Sequence, residues 1–187
     1  MRQPLISAER FTLRLLQPTE ADIALNYYLS NSVHLNPWEP SRPHGFFSGS
    51  YWQNLLQMRL QQFNLGEAVH LGAIDNHSQM MIASCNFTQI DSTLPHGCFL
   101  GYSIDQYYQG SGLMTQIVTS ALDYIYSERH IHTVTAAYMP SNLRSGQLLA
   151  RLGFQSLGLE RDYLEINGKL EDHQITTKSN PNQFQLR

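Results

Sequence analysis

Gln109-Gly110-Ser111-Gly112 stands between a short apolar run ending at Ile104 and a segment with a clear helical period. Two glycines at such a junction expose backbone N–H groups at the positive end of a helix dipole, and that geometry binds phosphate. The loop is not a Walker sequence, because no lysine follows it. Nor is it a dinucleotide fingerprint, because Thr115 occupies the place of the third glycine. On spacing alone, glycines that merely turn the chain into a helix remain the alternative. Other residues invite chemistry. Asn142 and Ser145 lie three apart at the start of a second helical stretch, where a serine can also simply bond to backbone. Glu39 sits among Pro37, Trp38 and Pro40. His130 and His132 would share one face of a strand, but neither they nor Cys85 and Cys98 have metal-ligand spacing, so no metal is expected.

The elements that must position these groups can be read from periodicity. After the glycine loop, Leu113, Ile117, Ala121 and Ile125 fall four apart with Met114, Val118 and Leu122 beside them, while Gln116, Thr119, Asp123 and Ser127 take the other face. Residues 10–17 read as a strand and Thr19 as the N-cap of a helix reaching Ser30. Residues 31–50 read as a long loop pinned by Trp38, Phe46 and Phe47. A helix over 51–65 ends at Gly66. Strands over 68–75, 80–90 and 98–104, with turns at 76–77 and 92–97, suggest an antiparallel meander. A strand over 133–138 then completes a parallel crossover, a helix over 143–152 stops at Gly153, and Asn167-Gly168 turns a final hairpin. The expected fold is α+β (mixed α/β) with one sheet. The chain of 187 residues reads as one domain over 1–187, with 178–187 a frayed tail.

Gln109 to Met114 resembles the phosphate-binding signature of GCN5-related N-acetyltransferases. Tyr138-Met-Pro-Ser-Asn142-Leu-Arg-Ser145 through Gly153-Phe154 resembles the second half of that fold. Leu35-Asn-Pro37-Trp38-Glu39-Pro40, His130-Ile-His132 and the stretch Asp162-Tyr163 to Gly168 are most similar to the RimJ side of the RimJ/RimL branch, the ribosomal-protein alanine N-acetyltransferases. The resemblance spans about residues 9–177. It implies a mostly antiparallel sheet with helices on both faces and a splayed parallel pair of strands. Acetyl-CoA is then the cosubstrate, held by Gln109, Gly110, Ser111, Gly112, Leu113, Met114 and Thr115. The backbone of Ser103 and Ile104 would lie along its pantetheine arm as an added strand would, and Asn142 would also touch the arm.

Amine attack on a thioester needs a neutral amine, a donor for the oxyanion and a proton source for the leaving sulfur. The resemblance assigns the last role to Ser145. The family's tyrosine acid aligns with Leu149 and its strand glutamate with Phe99, so this chain must find its base elsewhere. Glu39 is the candidate, with a surface carboxylate that anchors its loop as the alternative. Trp38, Tyr138 and Tyr163 are candidates for lining the acceptor site, each with simple packing as its alternative.

The formal net charge of −3 argues against a nucleic-acid binder. No apolar run is long enough for a membrane span and the first residues lack a secretory core, so a cytoplasmic protein, monomer or homodimer, is expected. Deprotonating an α-amino group with a pKa of ~7.7–8.0 at pH 7 costs about 1 kcal/mol, against about 4.6 kcal/mol for a lysine. A site without the strand glutamate therefore suits a protein N-terminus, and the resemblance points to the N-terminal alanine of a ribosomal protein. Two alternatives stay open: a small-amine acetyltransferase, and a CoA-binding module of ribosome assembly that does no chemistry.

Overall fold

The computed structural model describes residues 2–90 and 96–181. It contains one eight-stranded sheet: β1 (Leu5–Ser7), β2 (Phe11–Arg14), β3 (Val69–Asp75), β4 (Met81–Thr88), β5 (Gly97–Ile104), β6 (Thr133–Tyr138), β7 (Gln155–Ile166) and β8 (Lys169–Ser179). The spatial order is β1-β2-β3-β4-β5-β6-β8-β7. Every neighbouring pair is antiparallel except β5 and β6, which the crossover through α4 (Leu113–Glu128) makes parallel. Five consecutive residues of β4, Met81 to Cys85, are buried. A strand buried on alternate and intervening residues alike is covered on both faces, and it is the helices that cover it.

The remaining helices are α1 (Ala21–Ser30), α2 (Ser32–Leu35), α3 (Gly49–Leu65) and α5 (Leu143–Arg151). The apolar face read for α4 is the face it buries: Leu113, Met114, Ile117, Val118, Ala121, Leu122 and Ile125 are all inside, joined by Tyr126. With Leu148 and Leu149 of α5 they enter the larger apolar cluster, against Cys85 and Phe87 of β4. A second cluster joins α1 and the first half of α3 through Tyr28, Phe46 and Trp52, whose rings lie 4.7–5.4 Å apart. The β7–β8 hairpin turns where the sequence marks it, with Asn167 at φ 51° and Gly168 at φ 79°. Both central residues of that turn are left-handed, matching the twist of a two-residue hairpin.

Several expectations need correction. α1 does not start on Thr19. Pro18–Glu20 forms a 3-10 turn, and the Glu20 carboxylate accepts from Gln17 N at 2.8 Å while pairing with Arg14 at 2.6 Å. The carboxylate thus serves an amide and a cation together, which a threonine hydroxyl cannot do. The stretch 31–50 is not one loop: it holds α2 and a 3-10 turn at Asn36–Trp38, and Ser48 caps α3 two residues earlier than read. Of its three aromatic anchors only Phe46 is buried; Trp38 and Phe47 are 37% and 45% exposed. Strand β1 was not foreseen, because three residues carry too little pattern. Of the supposed tail, Lys178 and Ser179 pair with β6, and Asn180 Nδ2 donates to Ile131 O at 3.2 Å. The end of that tail, 182–187, and most of the expected turn, 92–95, lie outside the described residues.

Candidate active site

The site begins where β5 and β6 part. Their ladder runs from Gly97↔Thr133 only to Phe99↔Thr135, although β5 continues to Ile104 and β6 to Tyr138. The outer neighbours keep their pairing over the same length, β4 as far as Ile104 and β8 as far as Tyr138. The strands therefore splay, leaving two facing edges. Parity decides which groups look into the opening. Asp105 N donates to Ile82 O at 2.8 Å, so the alternate residues Ser103 and Gly101 also turn their backbone groups to β4. Ile104 and Tyr102 turn theirs to the opening. The sequence reading puts both Ser103 and Ile104 along the cofactor arm, but only Ile104 turns its backbone to the opening; the Ser103 backbone serves β4, and its buried hydroxyl is held between Tyr27 Oη and Ser84 Oγ, each at 2.8 Å.

The glycine loop lies at the end of that opening. Gly110 and Gly112 sit at φ 71° and 76°, a region that L side chains rarely adopt. Gly112 is the N-cap of α4 and has no side chain to cap the helix; Ser111 Oγ accepts from the first helical amide, Leu113 N, at 3.4 Å. A Cβ built on Gly112 would meet no protein atom within 4 Å. A helix start with a left-handed glycine as its N-cap and open space beside it is a fit for the pyrophosphate of acetyl-CoA. Ser111 braces the loop internally, its Oγ donating to Tyr108 O at 2.6 Å. Gln109 ties the loop outward. Arg144 Nη1, which can only donate, takes the Gln109 carbonyl oxygen. The Gln109 amide therefore donates to His34 Nε2 at 2.9 Å. Arg151 Nη1 reaches Thr115 Oγ1 at 3.4 Å.

The far lip is the first turn of α5. Asn142 caps it, its Oδ1 accepting from Ser145 N at 3.2 Å. Ser145 Oγ lies 2.7 Å from Tyr102 Oη. Burial pushes the Tyr102 hydroxyl pKa well above the usual tyrosine range, so it keeps its proton. The Tyr138 ring rests on Gly146, where an added Cβ would stand 2.7 Å from its Cε2. Structure thus brings together Ser145, Asn142, Tyr138 and the loop residue Gln109. Tyr102 is the member that sequence reading missed; its only signal was its place on the strand ahead of the loop.

Glu39 and Tyr163 make other contacts, and Trp38 ends the 3-10 turn half-exposed. Glu39 pairs with Arg42, whose guanidinium lies over the rings of Tyr28 and Phe46 at 5.0 and 4.4 Å. Tyr163 sits in an irregular stretch of the edge strand β7, its ring 5.2 Å from that of His173. A cleft of about 380 Å³ between the 32–47 segment and the hairpin tip is lined by Tyr28, Arg42, Phe47 and Asn167 among others. Asn167 Nδ2 closes one end by donating to Asn36 O at 2.8 Å. Among the described residues no group of three or more His, Cys, Asp or Glu could hold a metal, and no helix is long and apolar enough to cross a membrane.

Residues 10–155 match the family model described as the acetyltransferase (GNAT) domain. The chain is 39% identical over 176 residues to the [ribosomal protein uS5]-alanine N-acetyltransferase of Escherichia coli (strain K12), covering 94% of this chain and 91% of that protein. The crystal structure of the ribosomal-protein-S5-alanine acetyltransferase from Vibrio fischeri superposes with a TM-score of 0.93 at 33% identity, over 96% of this chain and 98% of that one. Mycobacterium smegmatis RimJ, solved with a CoA disulfide, shares the fold at 20% identity with a TM-score of 0.87, over 96% of this chain and 90% of that one.

Proposed function

This chain belongs to the GNAT acetyltransferase family, and on that premise we propose that it acetylates the N-terminal alanine of ribosomal protein uS5, in the cytoplasm, as a monomer or homodimer without direct contact to nucleic acid. The observation that carries the acceptor assignment is similarity along nearly the whole length to an enzyme named for that reaction. The observation that supports the chemistry is the opening between β5 and β6, with a glycine-capped helix start at one end and Ser145 at the other.

Acetyl-CoA supplies the activated acetyl thioester. In this reading Gln109 to Thr115 present amides and side chains to its pyrophosphate, and Ile104 and Tyr102 present backbone groups to its arm. Asn142 fixes the turn from which Ser145 offers a hydroxyl hydrogen to the leaving sulfur. Tyr138 and Trp38 face the amine side, and Tyr163 on the β7–β8 hairpin receives the acceptor peptide. Glu39 helps to bind or deprotonate the amine, and its pair with Arg42 makes the loop around Phe46 part of that task.

Two peptides with the uS5 N-terminal sequence test the acceptor. One carries a free N-terminal alanine and acetylated lysines; the other has a blocked N-terminus and free lysines. The first should react and the second should not. Reaction of the blocked peptide alone, or of small amines alone, would reject the proposal. CoA binding without turnover on any amine would assign a non-catalytic module. In the same assay Glu39→Gln should shift the pH profile of the first peptide upward if the carboxylate takes the proton. An unshifted profile with a raised KM for the peptide would leave Glu39 as a binding residue only.

A further inference from the structure

Tyr102 and Ser145 are 43 residues apart in sequence, yet their hydroxyls meet at 2.7 Å on the lip of the opening between β5 and β6. Two hydrogens must be distributed over this pair. In one arrangement Tyr102 donates to Ser145 Oγ, and the serine hydrogen is left to point elsewhere. In the other, Ser145 donates to Tyr102, and Tyr102 donates to Ser145 O at 3.3 Å. The second is the poorer arrangement. Its tyrosine bond is the longer one, and Ser145 O, in the first turn of α5, is the acceptor of the helix's own i→i−4 bond. A buried phenol that stays protonated has no ionised state in which it could only accept.

Building on the reading of Ser145 above, we propose that Tyr102 is a positioning residue for the acetyl-transfer step: it donates to Ser145 Oγ and so turns the serine's own hydrogen into the opening, toward the sulfur that leaves. No proton passes through Tyr102. It keeps its hydrogen throughout, and the chain Tyr102 O–H to Ser145 O–H to sulfur strengthens as negative charge grows on the sulfur, because consecutive hydrogen bonds polarise one another. The neighbouring packing keeps this geometry narrow. Tyr138 lies on Gly146, the residue after Ser145, and Asn142 caps the same turn, so the serine is held from three sides.

Tyr102→Phe keeps the ring and removes only the donor. It should lower kcat about tenfold, the net worth of one hydrogen bond, while the KM for acetyl-CoA stays within about twofold. In a Ser145→Ala background the same substitution should have no further effect, since the group it positions is gone. A second readout needs no acceptor. Calorimetry should find that the wild-type protein binds CoA several-fold more tightly than desulfo-CoA, and that Tyr102→Phe abolishes the preference. An equal loss in both backgrounds would make Tyr102 an independent actor and overturn the proposal. So would a silent Tyr102→Phe beside a Ser145→Ala that is impaired, which would leave the role of Ser145 standing. A Ser145→Ala variant with full kcat and intact preference would remove both.

Discussion

Helices α4 and α5 begin within reach of the same opening, but their first turns are built on opposite plans. α4 has Gly112 as its N-cap, with positive φ, no N-cap side chain and nothing beyond its chain neighbours within 4 Å of the missing Cβ. α5 starts at Asn142, whose side chain satisfies Ser145 N, and its next residues are pressed by Tyr102 and Tyr138. A helix start has orphan amides that something must satisfy. α5 satisfies one of them from its own chain and thereby becomes a rigid mount for a side chain. α4 has no N-cap side chain for its own, so Leu113 N turns to Ser111 Oγ at 3.4 Å and Thr115 N to Gly112 O at 3.1 Å; on the proposed reading the glycine start gives backbone room to a ligand. On the proposed reading binding falls to one helix end and chemistry to the other, and Gln109 links the two through Arg144.

The comparison can be broken most severely at Gly112. Gly112→Val puts a branched side chain on a left-handed residue and into the space beside the amides. CoA affinity measured by calorimetry should fall about 100-fold, or ~2.7 kcal/mol. A folded variant with undiminished affinity would show that the α4 start is not the phosphate site. Ser145→Ala should do the converse: kcat about 100-fold lower, CoA dissociation constant nearly unchanged. If kcat stays within about threefold, Ser145 belongs to the scaffold of α5. Gly146→Ala tests the mount. Its methyl would overlap the Tyr138 ring, which must shift, at a cost of about 1–3 kcal/mol of stability by denaturant unfolding. Unchanged stability and kcat would mean that the ring moves aside without consequence. The smallest effect is expected for Asn142→Ala, the loss of an ordinary cap, at about 1 kcal/mol or ~2–4 °C in Tm. No comparable stability loss should follow when Gly112 is replaced by asparagine, which tolerates positive φ.

Much of this division could be read in the chain. The four-residue spacing of Leu113, Ile117, Ala121 and Ile125 is a local signal, and the helix buries that face. Asn167-Gly168 imposes its turn through backbone sterics alone, and the hairpin follows. The glycine loop and the Asn142–Ser145 spacing needed the family resemblance to acquire a meaning, because glycines and caps are common. The segment 31–50 was poorly legible: its short helices carry no full period, and the burial of Phe46 rather than Trp38 or Phe47 depends on where Tyr28 and Trp52 stand.

What the sequence determined by itself is what depends on neighbours within a turn or two: the helices, the hairpin, the left-handed glycines at the start of α4 and the cap of α5. Tertiary structure decided the rest. Whether Ser103 or Tyr102 faces the opening is a matter of strand parity, and one hydrogen bond from Asp105 N to Ile82 O settles it against Ser103. That Tyr102 meets Ser145 depends on α5 being carried back across the lip of β5, and that Gln109 lies between His34 and Arg144 depends on three elements converging. Such contacts leave no periodic trace, because the chain between them sets only how far apart the partners may be, and packing of the core chooses where they meet.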